Sequence, residues 1–456
     1  MIRINHDLAP ASLVPGITRM WAASAAKIKS LEASYDPAAG APVFTIKGRY
    51  TSRGWTEWTQ GFQFGAAILQ FDATGEGEFL EIGRKRTLEL MAPHLTHVGV
   101  HDHGFNNVST YGNLYRLQKE GRIAPDAWES SFYELALKVT GAVQASRWTT
   151  IRDGGFIYSF NGPHSLFVDT IRSLRALAVS HRLGHVLMGE NDKPVSMLER
   201  LVHHGRSTAQ YSVFYGAGRD SYDIRGRTVH ECVFNTNDGN YRCPSSQQGY
   251  SPFTTWTRGL AWAMCGFAEQ LEFLKTVPAA ELEAMGGVSA VENVFREAAL
   301  AACDFYIENT PVDGVPYWDT GAPGLVHMGD YLGRASEPYN DFEPVDSSAA
   351  AIAAQGLMRL GRYLKAATAG TGARYVQAGL TVLNSLLEEP YLSADPDHQG
   401  LLLHSIHHRP NGWDYIPEGR KSPCGEACMW GDYHLREAAL YVQRLAADGP
   451  YLTFWA

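Results

Sequence analysis

Two aspartates stand where an ordinary helix has little use for them. Asp169 lies in Leu166-Phe-Val-Asp-Thr-Ile-Arg-Ser-Leu174, an apolar run that reads as helix. An ionised carboxylate is poorly solvated there, so burial should raise its pKa and keep it protonated near neutrality, the state a general acid requires. The same spacing fits a plain structural role, with Asp169 pairing to Arg172 three residues on across a helix surface. Asp102 lies in Gly99-Val-His-Asp-His-Gly-Phe105, between His101 and His103 and just before a glycine. Its ordinary role would be an N-cap for the following helix. The His-x-His pair suits a metal, but a third ligand at sensible spacing is missing, so no metal site is assigned.

A third stretch, Gln247-Gln-Gly-Tyr-Ser-Pro-Phe-Thr-Thr-Trp-Thr-Arg-Gly-Leu-Ala-Trp262, puts Arg258 and Trp262 four apart, on one helix face. A guanidinium beside an indole suits a carboxylated sugar, the cation for its charge and the ring for its apolar face. The same pair would also make a cation–π contact in a core. His230 stands upstream beside Glu231, in a loop. Trp55-Thr-Glu-Trp-Thr-Gln-Gly-Phe62 and Met429-Trp-Gly-Asp-Tyr-His434 each set tryptophan and a carboxylate at a predicted helix start. The helix dipole alone accounts for acids there.

Groups so far apart in sequence meet only if the elements carrying them close around one another. Amphipathic periodicity predicts twelve helices, at about 11–35, 61–73, 78–95, 107–119, 125–145, 165–181, 191–205, 255–275, 290–306, 347–364, 372–388 and 431–447. Strand signals are confined to short pieces such as Val43–Ile46 and Gly155–Phe160. The longest loops, about 206–254 and 307–346, carry Tyr, Trp, His and Asn and are expected to wall a cavity. No linker or composition break divides residues 1–456. The expectation is one all-α catalytic domain, six helical hairpins closed into an (α/α)6 barrel; an open solenoid would need a fixed repeat, and none shows.

Composition narrows the partners. The chain of 456 residues has 11 Trp and 22 Tyr, more than core filling needs, and such rings suit sugar faces while their edges hydrogen-bond. A formal net charge of −9 argues against nucleic acid, which calls for a basic stripe. It also means that an anionic substrate must be drawn in by local positive groups. The six cysteines are scattered without C-x-x-C spacing and read as free thiols in a reducing compartment. No signal peptide or membrane span is visible, which makes the cytoplasm the expected location. Nothing in the sequence speaks to oligomeric state.

Taken in this order, the clusters resemble the unsaturated glucuronyl hydrolases, glycoside hydrolase family 88, and more distantly the unsaturated rhamnogalacturonyl hydrolases. The likeness runs from about Trp58 to about Leu445. Gln248-Gly-Tyr followed by Trp256-Thr-Arg-Gly-Leu-Ala-Trp262 is similar to the family's Q-G-Y…W-x-R-G-x-A-W signature, at the same spacing. His101-Asp-His-Gly-Phe resembles its H-D-x-G-F, and Val168-Asp-Thr its I-D segment. Asp346-Ser-Ser-Ala-Ala-Ala-Ile-Ala-Ala resembles a family helix start, and Trp430-Gly-Asp-Tyr its final W-G-D-Y.

The resemblance implies an (α/α)6 barrel that removes a terminal 4,5-unsaturated uronic acid from oligosaccharides, without metal or organic cofactor. Residue by residue it gives Asp169 as catalytic acid/base and Asp102 as the second essential carboxylate. Trp58, His101, His230, Gln248, Arg258 and Trp262 match substrate-binding positions, with Arg258 and His230 offsetting the substrate's charge. The sequence departs from the family pattern at Thr170-Ile-Arg-Ser-Leu174, where N-M-M-N-L is usual. It departs again at Pro252 and Phe253, where acidic residues are common, at His103, and in a longer 307–346 loop. A saturated β-glucuronidase, a uronate-specific lyase and an inactive sugar-binding barrel are the alternatives.

Overall fold

The computed structural model describes residues 1–53, 57–368 and 371–455. Trp55 and Thr56 of the first tryptophan cluster lie outside the described residues. Twelve long helices are present among those described: α1 (Val14–Ser34), α2 (Gln60–Thr74), α3 (Gly77–Leu90), α4 (103–119), α5 (Ala127–Ser146), α6 (170–182), α7 (197–212), α8 (Thr257–Leu274), α9 (Gly287–Glu308), α10 (Ser347–Ala367), α11 (Ala373–Leu386) and α12 (Met429–Ala446). Helices α4 and α7 each contain a five-residue π turn, Val108–Gly112 and Thr208–Ser212.

The even-numbered helices form a closed ring, each packed on the next and α12 on α2, while the odd-numbered ones pack outside it. This is an (α/α)6 barrel, and the side-chain pattern explains which helix goes where. Residues 257–271 of α8 and 347–361 of α10 are buried on every face, as an inner helix must be. Outer α11 is one-sided: Ala378, Leu380, Val382, Leu383 and Leu386 are buried, whereas Arg374 and Asn384 are exposed.

Among the described residues, nine short strands decorate the loops: β1 (Pro42–Ile46), β2 (Arg49–Ser52), β3 (Trp148–Ile151), β4 (Gly154–Ile157), β5 (Ser165–Phe167), β6 (Val186–Met188), β7 (Pro194–Ser196), β8 (Glu231–Phe234) and β9 (Tyr241–Ser245). All pairs are antiparallel, three hairpins plus a three-stranded sheet in the order β5-β8-β9.

Two expectations change here. The run 165–181 is not helical throughout, because Ser165–Phe167 pairs with β8 and the helix starts only after Asp169. Periodicity could not separate strand from helix in so short an apolar stretch. Arg172 is fully buried and pairs not with Asp169 but with Glu269 (2.7 Å) and Glu437 (2.8 Å) inside the ring.

All six inner helices begin at the same end of the barrel. Asp102, Asp169, Trp256 and Asp346 are the N-cap residues of α4, α6, α8 and α10. Trp58 lies just before α2, and Trp430 is the second residue of α12. Six partial positive charges therefore converge on one mouth. That is the local positive field which a chain of net charge −9 needs in order to hold an anion.

Candidate active site

A cavity of about 270 Å³ occupies that end of the ring, lined by residues that include Trp58, His101, Asp102, Asp169, Gln248, Arg258 and Trp262. The two carboxylates meet because their helices touch. A Cβ on Gly104 would overlap the Ser173 carbonyl, so only glycine lets the start of α4 lie against α6. The Ser173 hydroxyl accepts from the Gly104 N–H (2.9 Å) and donates to the His101 carbonyl (2.7 Å), and Gln144 donates to both (2.9 Å each). Arg147, buried at the end of α5, donates to the carbonyls of Val98, Tyr158 (3.2 Å) and Ser159 (2.8 Å) and anchors the loop leading into Asp102.

Both aspartates are N-cap residues, yet neither side chain caps its helix. The carboxyls turn into the cavity instead and share one imidazole. His101 Nε2 lies 3.2 Å from Asp169 Oδ1 and 3.8 Å from Asp102 Oδ1. Burial pulls the Asp169 pKa upward, but the hydrogen bond and charge of His101 outweigh it, and Asp169 is held below its usual range. Asp102 is raised, by burial first and also by the nearby charge of Asp169, against the pull of His101. His101 itself is raised by the two carboxylates despite its burial. The expectation of an Asp169 pKa raised by burial is therefore not met: the direction is downward. A directed ion pair competes with desolvation and wins.

Arg258 also differs from expectation. Its Nη1 pairs with Asp346 (3.1 Å) and donates to the Ile406 carbonyl; its Nη2 donates to Gln248 Oε1 (3.0 Å) and the His407 carbonyl (2.8 Å). The guanidinium lies over the Trp256 (4.6 Å) and Trp430 (4.7 Å) rings. Both terminal nitrogens are thus committed to the cavity wall, and a two-pronged grip on a sugar carboxylate would have to break these bonds. Arg258 fixes Gln248 and the 406–407 backbone, and adds positive charge. Arg258→Lys should lower kcat/KM by roughly ten- to a hundredfold, because one ammonium cannot hold both walls in place. Steady-state kinetics unchanged from wild type would show that neither wall depends on it.

His230 stands behind the lining rather than in it. Its Nδ1 accepts from the Gln247 N–H (3.0 Å), its ring packs on Phe167 (4.3 Å), and burial lowers its pKa to about 4. A neutral imidazole does not offset a substrate's charge, so its part is to shape the Gln247–Gln248 turn. His103 turns its ring to Thr140 (2.7 Å) and the His97 carbonyl (3.0 Å), so the two histidines of His-x-His do not face one point. Trp262 and Trp58 line the cavity, Trp262 against Phe105 (4.8 Å) and Trp58 stacked on Trp430 (4.9 Å).

Part of the cavity wall comes from a segment that sequence reasoning missed: His407, His408, Asn411 and Trp413. Asp414, its pKa raised to about 6 mainly by burial, accepts from the backbone N–H groups of His407 (2.5 Å) and His408 (3.1 Å) and shapes this turn. The density of His, Asn and Trp in 404–413 was the available signal. The 307–346 loop, expected to be a wall, contributes no lining residue among those described. It buttresses instead: Asp319 accepts from the Tyr250 N–H (2.8 Å), and the Trp318 carbonyl accepts from Thr257 (3.1 Å).

No family model matches the chain. It is 25% identical over 403 residues to an unsaturated glucuronyl hydrolase of Bacillus sp. strain GL1, covering 87% of this chain and 89% of that protein. It is 24% identical over 392 residues to one from Formosa agariphila, covering 85% and 80% respectively. Among solved structures, an unsaturated glucuronyl hydrolase specific for heparin superposes with a TM-score of 0.71 at 17% identity, over 95% of this chain and 98% of that one. A second, of a variant crystallised with dGlcA-Glc-Rha-Glc, gives 0.68 at 21% identity, over 95% and 96%. In sequence along most of the chain this protein is similar to curated unsaturated glucuronyl hydrolases, and over nearly all of it the fold is the six-hairpin (α/α)6 barrel of their solved structures.

Proposed function

We propose that the protein is a glycoside hydrolase that removes a terminal 4,5-unsaturated uronic acid from an oligosaccharide, with residues 1–456 forming one catalytic domain. The observation that carries this reading is the Asp102–His101–Asp169 cluster, two carboxylates around one imidazole nitrogen in a cavity at six helix N-termini. The ring double bond of such a sugar is a vinyl ether. A proton delivered to C4 leaves an oxocarbenium-like centre at C5, to which water adds. The resulting hemiketal opens and releases the aglycone sugar.

Asp169 gives the proton and then, as carboxylate, takes one from the attacking water. His101 holds the Asp169 pKa low, so substrate binding must raise it for Asp169 to carry a proton. The substrate's carboxylate supplies the reason: a new negative charge beside the cluster raises the carboxyl pKa values. Asp102 and His101 hold the proton to be shared. The reading requires no metal or organic cofactor. The six cysteines are unpaired, which suits the cytoplasm, where thiols stay reduced. No described helix is long and apolar enough to cross a membrane.

The opposite pKa directions of the two aspartates also favour a second reading, a saturated β-uronidase with Asp102 as acid and Asp169 as nucleophile or base. One assay separates them. Loss of the ultraviolet band of an unsaturated uronyl disaccharide, without release from an aryl β-glucuronide, is the expected result. Release from the glucuronide alone would replace the first reading by the second.

A further inference from the structure

Two loops beside the cavity mouth carry aromatic rings that the mechanism does not use. Gln248 lines the cavity, and Tyr250 and Phe253 follow it at once; each is about half exposed. Tyr222, on the neighbouring loop, is 55% exposed and packs its ring on Phe253, with centroids 5.2 Å apart at a tilt of 40°. Consecutive Cα atoms are about 3.8 Å apart, so Tyr250 begins within two such steps of the lining.

The exposure is not that of a loose loop. The Asp223 carboxylate accepts from the N–H groups of Gly216 (2.8 Å), Ala217 (3.1 Å) and Arg219 (2.7 Å). Buried Arg227 clamps Asp220 (2.7 Å) and the Tyr222 carbonyl (2.7 Å) while lying over Phe214. On the other loop, Asp319 accepts from the Tyr250 N–H, and Thr320 accepts from the Thr255 N–H (3.0 Å). Rigid backbone holding apolar rings in water has a stability cost, and preorganised rings that await a ligand repay it on binding.

We propose that Tyr222, Tyr250 and Phe253 form an aromatic platform for a pyranose of the aglycone that lies beyond the first sugar after the scissile bond, one that a disaccharide lacks. The occupant is a sugar ring because the platform continues from the cavity that takes the chain end, and because pyranose rings offer the apolar C–H faces that aromatic rings accept. The platform rests on the hydrolase reading above and adds that the enzyme prefers chains longer than a disaccharide.

The test uses matched unsaturated di- and tetrasaccharides prepared by lyase digestion of hyaluronan, chondroitin sulfate and heparin. Wild type should show a lower KM for the tetrasaccharide than for the disaccharide of the same polymer. Phe253→Ser and Tyr222→Ser should each raise the tetrasaccharide KM by roughly three- to tenfold while kcat and disaccharide kinetics stay at wild-type values. Phe253→Trp should keep the tetrasaccharide advantage, which distinguishes ring stacking from loop collapse. Turnover of both lengths with equal KM, unmoved by the substitutions, overturns the platform and leaves the hydrolase reading intact. No turnover of any pair overturns that reading as well. A wild-type dimer that Phe253→Ser dissociates in light scattering, with chain-length preference unchanged, assigns the patch to a second copy of this chain and also overturns the platform.

Discussion

Asp169→Asn lowers turnover of an unsaturated uronyl disaccharide by roughly two to four orders of magnitude while the substrate still binds, because the shape is kept and the transferable proton is gone. Equilibrium binding by calorimetry alongside the ultraviolet assay checks both halves. Full activity in this variant would end the proposed chemistry. Asp102→Asn impairs turnover too and leaves a second mark. Burial pulls the His101 pKa down, but the charge of Asp102 and the hydrogen bond and charge of Asp169 raise it above its usual value. Removing the Asp102 charge lowers the His101 pKa, so the shared proton leaves at lower pH and the basic limb of the kcat/KM profile moves to lower pH. A basic limb left in place would show that His101 takes no part in holding the proton.

Arg172→Met destabilises the fold by about 3–5 kcal/mol, the range for a buried ion pair stripped of one partner. Inside the ring below the cavity, Arg172 pairs with Glu269 and Glu437, Arg175 with Glu437 (3.3 Å), and Arg359 with Glu272 (2.6 Å). Losing Arg172 leaves Glu269 with only its longer contact to Arg359 (3.8 Å) and part of Glu437 uncompensated in a buried core. Arg172→Met with Glu269→Gln keeps the Arg175–Glu437 and Arg359–Glu272 pairs balanced, so it should recover part of the loss in urea denaturation. A single variant within 1 kcal/mol of wild type, on the scale of a surface pair, would show that the network is solvated.

The acid side offers an independent check. Burial pushes the Glu437 pKa up, but Arg172 and Arg175 outweigh it and hold the carboxyl well below its usual range. Its contribution to stability is therefore present above the unfolded-state pKa and is lost as pH falls through the folded-state value. Without Arg172 that folded-state value rises, so acid unfolding of Arg172→Met should begin at higher pH than in wild type.

Much of this molecule is written in local pattern. Apolar positions at helical spacing mark all twelve helices, since each must bury at least one face and the ring is made by nothing else. The Gln248–Trp262 stretch and the His101–Phe105 stretch carry their site residues close together, on a helix start and its preceding loop, so spacing alone brings them within reach of one another. What sequence could not decide are the outcomes that depend on which charges meet in three dimensions. Asp169 looks like a desolvated acid in a helical run, but β5 pairing ends that run, and a histidine 68 residues away sets its charge. Arg172, three residues on, finds its partners 97 and 265 residues away instead. Arg258 reads as a hand open for a carboxylate, yet backbone carbonyls about 150 residues downstream already occupy it. Periodicity reports burial, which is set residue by residue along an element; the partner of a buried charge is set by the closure of the ring, and only the folded chain contains that.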